Sequence, residues 1–274
     1  TGPRRRFPEG FTWGTATAAH QVEGGNVNND WWAFEHTAGS ACTEPSGDAC
    51  DSWERWEEDA DLVAGLGLDN YRFSVEWSRV EPADGEISHA ALAHYRRQCL
   101  GLRERGIDPV VTFHHFTTPT WLINQGGWES DVTADRFARF CTVVAEALGD
   151  VMSRACTINE PNIVATMGWH AGMFPPGKTD VELSRRVATN FVHAHRLAVE
   201  AIRSAAPGVP IGLTLSMTDY QLAPGGEDKL QSIRHYAEDV FLDATKGDDF
   251  LGVQTYSRQL IGPNGWAGYE EGVP

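Results

Sequence analysis

Residues 157–162 read TINEPN, which sets one carboxyl group, Glu160, between two carboxamides, with Pro161 directly behind it. The segment closes the apolar run 151–158, so Asn159 and Glu160 are expected at the carboxyl end of a buried strand. A carboxyl beside a fixed amide suits proton donation to a leaving group, followed by proton removal from water. Glu160 is therefore the candidate acid/base.

Other polar groups fall at comparable positions. A strand-like run at 11–18 leads into Gln21 and Glu23, the run 70–75 contains Arg72, and 109–114 ends in His114-His115. Residues 250–254 are followed by Tyr256. Each residue alone reads as a helix cap or loop anchor. Gathered on one rim, they supply amide, imidazole and carboxyl groups suited to sugar hydroxyls. Adjacent strand residues point to opposite faces, so at most one of His114 and His115 faces a barrel centre, and His115 is the candidate ligand. That geometry also makes the pair a poor metal site, and no thiolate cluster replaces it. Gly24-Gly25 and Gly126-Gly127 precede no Lys-Ser/Thr, so no phosphate loop is read. No metal and no cofactor is expected. His193 and His195, two apart on a helical pattern, read as surface or packing residues.

The elements that must position these groups alternate regularly. Strands are predicted at 11–18, 70–75, 109–114, 152–158, 210–215 and 250–254. Between them run helical stripes: Trp53, Trp56, Ala60 and Val63; Leu92, Tyr95, Cys99 and Leu102; Phe137, Phe140, Val144 and Leu148; Val187, Phe191, Ala194, Ala198 and Ile202. A further helix is expected over about 228–241. Consecutive β/α units imply a parallel sheet, and their number favours a barrel over a doubly wound sheet. Loops leaving strands one, three and four are long and rich in Gly, Trp, His and Asn, whereas entering turns such as 105–107 are short. This asymmetry puts the working face at the strands' carboxyl ends. Residues 1–274 read as a single α/β domain with about six of the eight units a closed barrel needs, followed by a turn at Pro263-Asn264-Gly265. By that count the barrel is incomplete.

A formal charge of -16, from 22 basic and 38 acidic residues, argues against nucleic-acid and anionic-membrane partners. No segment approaches the ~18 apolar residues of a membrane span. Arg4 to Arg6 precede no apolar stretch, so no secretory signal is read. Of five cysteines, Cys99, Cys141 and Cys156 are expected to be buried thiols. Cys42 and Cys50 share a loop and could bridge, although a reduced, cytoplasmic setting is the simpler reading.

The motifs FTWGTATAAHQVEG (11–24), YRFSVEWSR (71–79), FHHF (113–116), TINEPN (157–162) and DFLGVQTY (249–256) together resemble the family 1 glycoside hydrolases, the β-glucosidase family, over essentially the whole chain. The resemblance implies a (β/α)8 TIM barrel that hydrolyses terminal non-reducing β-D-glucosides with retention. It assigns Glu160 as acid/base, Arg72 and Tyr256 as the residues positioning the nucleophile, and Gln21, His115 and Asn159 as sugar ligands. Trp169 would line the aglycone side. Phe116 stands where many members carry Trp, and Gln254-Thr255 replace the commoner Asn-Tyr, changes that bear on sugar preference.

The family's nucleophile lies in a Thr-Glu-Asn-Gly motif that this sequence does not contain. Retention needs two carboxyl groups ~5–5.5 Å apart. Glu76 and Glu23 are the available substitutes; an ion-pairing role suits Glu76 better, and a loop anchor suits Glu23. The resulting expectation is a chain inactive by itself, with a complementary C-terminal fragment and a small β-glucoside or oligosaccharide as partners. The alternatives are a non-catalytic sugar-binding or regulatory barrel, or a β-galactosidase, β-fucosidase or phospho-β-glycosidase of the same family.

Overall fold

A computed structural model describes residues 6–268; Arg4 and Arg5 of the basic run, and residues 269–274, lie outside the described residues. Nine strands are present among them: β1 (Gly14–Ala16), β2 (Asn70–Ser74), β3 (Asp108–His114), β4 (Arg154–Asn159), β5 (Ile211–Ser216), β6 (Asp219–Leu222), β7 (Phe250–Gln254), β8 (Arg258–Gly262) and β9 (Gly265–Trp266). Six form one parallel sheet in the order β1-β2-β3-β4-β5-β7. The neighbour order follows the chain, as consecutive β/α units require.

Helices α1 (Ala19–Val22) and α2 (Asp30–Glu35) lie in the loop after β1, and α3 (Ser52–Gly65) returns to β2. After β2 come α4 (Trp77–Val80) and α5 (His89–Glu104), and after β3 come α6 (Thr120–Ile123) and α7 (Thr133–Leu148). After β4 come α8 (Pro161–Trp169) and α9 (Val181–Ala205); α10 (Glu227–Arg234), a π turn at His235–Asp239 and α11 (Val240–Ala244) precede β7. The expected helix over 228–241 is thus one continuous run with a π turn inside it.

The stripes read on α5, α7 and α9 are buried faces, whereas Trp53 and Trp56 of the α3 stripe are half-buried, Trp53 stacking on His94 of α5. Tyr95, Cys99 and Leu102, the four residues of the α7 stripe and the five of the α9 stripe are all fully buried. Ser88 and Asp180 cap α5 and α9 by accepting from the backbone N–H of Ala91 and Leu183, at 3.2 and 3.0 Å. Where β5 meets β7, a Cβ on Gly212 would lie 2.1 Å from the Phe250 carbonyl oxygen, so only glycine permits this approach.

The first strand is shorter than the predicted 11–18. Only residues 14–16 pair, with β2 alone. Phe11 and Trp13 are instead exposed and contact each other and Phe7 at ring separations of 4.4–4.9 Å. A small second sheet, β6-β8-β9, has no counterpart in the sequence reading, although the turn at Pro263-Asn264 joins its antiparallel β8 and β9. No described helix is long and apolar enough to cross a membrane.

Candidate active site

The centre of the sheet's carboxyl end is organised by Arg72. From β2 its Nε donates to Thr112 Oγ1 on β3 at 2.8 Å, and its Nη2 donates to Asn159 Oδ1 on β4. Asn159 Oδ1 also accepts from the Thr214 hydroxyl of β5 at 2.9 Å and lies 2.8 Å from the Gln254 amide of β7. Residues of β2, β5 and β7 thus converge on one carboxamide of β4, and β3 is tied in through Arg72. Because its oxygen is occupied, the Asn159 amide nitrogen is the atom left to donate to a substrate.

Glu160 follows at a sharp corner. Its backbone is left-handed, φ 48 and ψ 56, which costs a non-glycine residue about 1–2 kcal/mol. The corner is fixed on both sides: its N–H donates to the Thr214 carbonyl at 2.8 Å, and its own carbonyl caps α8 by accepting from Ile163 and Val164. The carboxyl is buried, at 6% exposure, and burial raises its pKa against the opposing charge of Arg72. A carboxyl kept protonated more readily than usual, yet beside a cation, can serve as acid and then as base.

Beside this centre, Gln21, His115 and Phe116 line a cleft of about 480 Å³ with His20, Trp31, Glu35 and Cys42. His114 and His115 part as alternate faces require. His114 is packed against Trp128, Phe137 and Phe191, where burial lowers its pKa to about 3. Burial, with Arg72 adding, holds His115 well below the usual range, so its ring is neutral and able to both donate and accept. Phe116 adopts φ 72 and turns its ring towards Trp31 and Phe174.

Tyr256 stands at the rim, 79% exposed, with its hydroxyl 3.2 Å from the Gln254 side chain. Trp169 is not brought to the rim: it is 4% exposed, and its indole N–H donates to Glu129 at 2.8 Å. Glu23 and Glu76 are both committed to a buried network. Glu23 pairs with Arg79 at 2.9 Å and accepts from Tyr95 at 2.7 Å; burial pushes it up to about 7. Glu76 accepts from Ser78 at 2.7 Å and Thr117 at 2.9 Å, so hydrogen bonds rather than an ion pair hold it.

Several residues escaped the sequence reading. Trp31 and Glu35 enter the cleft because the start of α2 is bonded to the segment after β3, Asp30 and Thr118 exchanging hydrogen bonds; the Trp31-Trp32 doublet in an Asn-rich loop was the available signal. Thr112 and Thr214 look like ordinary strand residues, and only the sheet register reveals them. His195, read as surface or packing, is a buried link between Thr157 Oγ1 at 2.8 Å and Asp248 Oδ2 at 3.1 Å. Cys42 and Cys50 are free thiols, as are the buried Cys99, Cys141 and Cys156.

The family model described as Glycosyl hydrolase family 1 matches residues 3–259. Beta-glucosidase A of Thermotoga maritima is 35% identical over 237 residues, covering 84% of this chain and 53% of that protein. Thermostable beta-glucosidase B of Thermobispora bispora is 38% identical over 243 residues, covering 86% and 50%. The chain spans about half the length of the curated relatives it matches. A solved family 1 β-glucosidase from Thermotoga maritima superposes with a TM-score of 0.91 at 30% identity, covering 99% of this chain and 71% of that one. A second structure from that organism, in complex with glucoimidazole, gives 0.89 at 30% identity, covering 98% and 71%. With these likenesses the six-stranded sheet is a partial TIM barrel.

Proposed function

Since the chain belongs to glycosyl hydrolase family 1, we propose that it carries the acid/base part of a retaining β-glucosidase acting on terminal non-reducing β-D-glucosides. The observation that carries this reading is the setting of Glu160: a carboxyl raised by burial, fixed at a strained strand end and adjoined by the Arg72–Asn159 hub. Glu160 protonates the glycosidic oxygen as the bond to the aglycone breaks. It then removes a proton from the water that releases the sugar. The Asn159 amide donates to the 2-OH, a bond that strengthens as positive charge develops at the anomeric carbon. Gln21 and His115 hold further hydroxyls in the cleft.

The attacking carboxylate is a separate requirement. Glu23 and Glu76 are spoken for, so the nucleophile belongs to a Thr-Glu-Asn-Gly segment on a complementary fragment, placed by Arg72 and Tyr256. The test is hydrolysis of aryl β-glucosides, β-galactosides and β-fucosides by the purified 274-residue chain. No turnover of any of them is expected. Turnover that Glu160→Gln abolishes would place both carboxyls within this chain and overturn the assignment.

A second reading, a sugar-binding barrel without catalysis, is favoured by the cleft itself, whose Gln21, His115 and Phe116 walls belong to this chain. Intact mass and N-terminal sequencing of co-purifying material separate the two. A second polypeptide carrying Thr-Glu-Asn-Gly supports the enzyme, whereas a homogeneous monomer that binds glucose without turnover supports the binding barrel.

A further inference from the structure

A slot of about 390 Å³ lies between α8, α9 and α10 and shares no residue with the cleft lined by Gln21, His115 and Phe116. Its lining follows α8 from Asn162 to His170, about 12 Å of helix rise, so it is longer than one aromatic ring. Asn162, Ala165 and Ser184 are buried, whereas His170, Lys229 and Ser232 are exposed, which gives the slot a floor and a mouth. Tyr220 and Tyr236 add aromatic walls. Tyr236 stands on the π turn His235–Asp239, and such turns within helices occur frequently at functional sites.

The floor needs a donor. Asn162 Nδ2 donates to the Ser216 carbonyl at 2.7 Å and to the Ala237 carbonyl at 3.0 Å, which fixes that end of the amide as the nitrogen. Asn162 Oδ1 is buried and meets no donor of the protein. An acceptor left so costs about 1–3 kcal/mol, which a ligand hydroxyl would offset. The rest of the lining favours an anion. No carboxylate lines the slot, although the chain carries 38 acidic residues, and its charged groups are Arg185 and Lys229. Lys229 has no ion pair among the described residues. Arg185 lies 4.0 Å over the Tyr236 ring and pairs at 2.6 Å with Glu182, whose side chain is 80% exposed. So exposed a pair contributes little and yields to a second anion.

We propose that this slot binds a small hydroxyaryl carboxylate, its hydroxyl donating to Asn162 Oδ1, its ring beside Tyr220 and Tyr236, and its carboxylate at Lys229 and Arg185. A neutral sugar would leave both cations unused, and an alkyl carboxylate would leave Asn162 without a donor. A donor at one end, an aromatic body and an anion at the other meet all three demands. The site is separate from the sugar chemistry of Glu160, so the two readings stand or fall apart.

The probe is 4-hydroxycinnamate, titrated into the 274-residue chain by calorimetry at about pH 7, where its carboxylate is ionised and its phenol is not. Saturable binding with a Kd of ~1 mM or below is expected. Cinnamate, which lacks the hydroxyl, should bind about fivefold more weakly, and 4-hydroxycinnamyl alcohol, which lacks the charge, about tenfold. Lys229→Met should weaken 4-hydroxycinnamate about fivefold. Ala188→Trp fills the slot and should abolish its binding; Lys229 is exposed, so its variant reads the charge even where Ala188→Trp fails to fold. No saturable binding by the parent chain would overturn the proposal. Equal affinities for 4-hydroxycinnamate and cinnamate would do the same, since Asn162 would then contribute nothing. So would tighter binding of the neutral alcohol, the mark of a merely apolar pocket, or unchanged binding in a folded Ala188→Trp protein, which would put the probe elsewhere.

Discussion

The guanidinium of Arg72 on β2 crosses β3 to hold the Asn159 carboxamide on β4. It therefore acts both as a strut between strands and as the nearest positive charge to Glu160. The two roles can be separated experimentally. Arg72→Met keeps much of the side chain's length and removes every donor. Loss of the bonds to Thr112 and Asn159 is expected to cost about 2–3 kcal/mol, read by urea unfolding. Independently, the Glu160 carboxyl should titrate at higher pH, since the charge opposing its protonation is gone. An unchanged Glu160 midpoint in a folded Arg72→Met protein would mean that Arg72 does not act on this carboxyl.

His195 joins α9 to β4 and to the turn before β7 through Thr157 and Asp248, with the imidazole 1% and the carboxylate 6% exposed. His195→Leu fills similar space but strands both partners, and a loss of about 3 kcal/mol is expected. Pairing it with Asp248→Asn should cost clearly less than the sum of the single changes, because the second substitution removes the buried charge the first exposes. Strict additivity in chemical denaturation would show that the two side chains do not interact.

Phe191 stacks on Trp128 with ring centroids 4.0 Å apart and also touches His114. Phe191→Ala should cost about 3–5 kcal/mol as a core truncation. Its more telling consequence concerns His114, whose imidazole is held neutral by burial alone. Opening a void beside it admits water and should move its titration upward from about 3 towards the usual histidine range, observable by NMR. A His114 that stays neutral would mean that the surrounding rings close the gap.

How much of this was legible in advance follows from which forces are local. The α9 stripe of Val187, Phe191 and Ala194 declares its buried face by spacing alone, and Asn159-Glu160 announces a strand end because an apolar run stops there. Trp169 shows the opposite case. The resemblance placed it on the aglycone side beyond strand four, but as the last residue of α8 it is buried, with its indole N–H on Glu129. The β6-β8-β9 sheet was hidden because its strands are short and polar and are stabilised by partners nearly forty residues away. The Gln254 contact was hidden for a related reason: a substitution at one strand end shows its reach only when β7 lies beside β5.

Glu160 itself should weaken the fold that presents it. Its folded pKa is raised by burial above the ordinary value of 4.5, so the folded state holds a proton that the unfolded chain has already released. Such a group contributes stability that is fully present below pH 4.5 and is lost as the pH rises through its folded pKa. Glu160→Gln keeps the size and the hydrogen-bonding ends while removing the ionisation. The variant should therefore match the parent chain in Tm near pH 4 and exceed it increasingly towards pH 8. The difference measures what burial of an ionisable group at a strained corner costs, a trade between stability and function that a purely structural carboxyl would have no reason to carry. Parallel Tm curves for the two proteins from pH 4 to 8 would mean that the Glu160 carboxyl titrates alike in the folded and unfolded states, and would remove the electrostatic basis for assigning it the proton transfer.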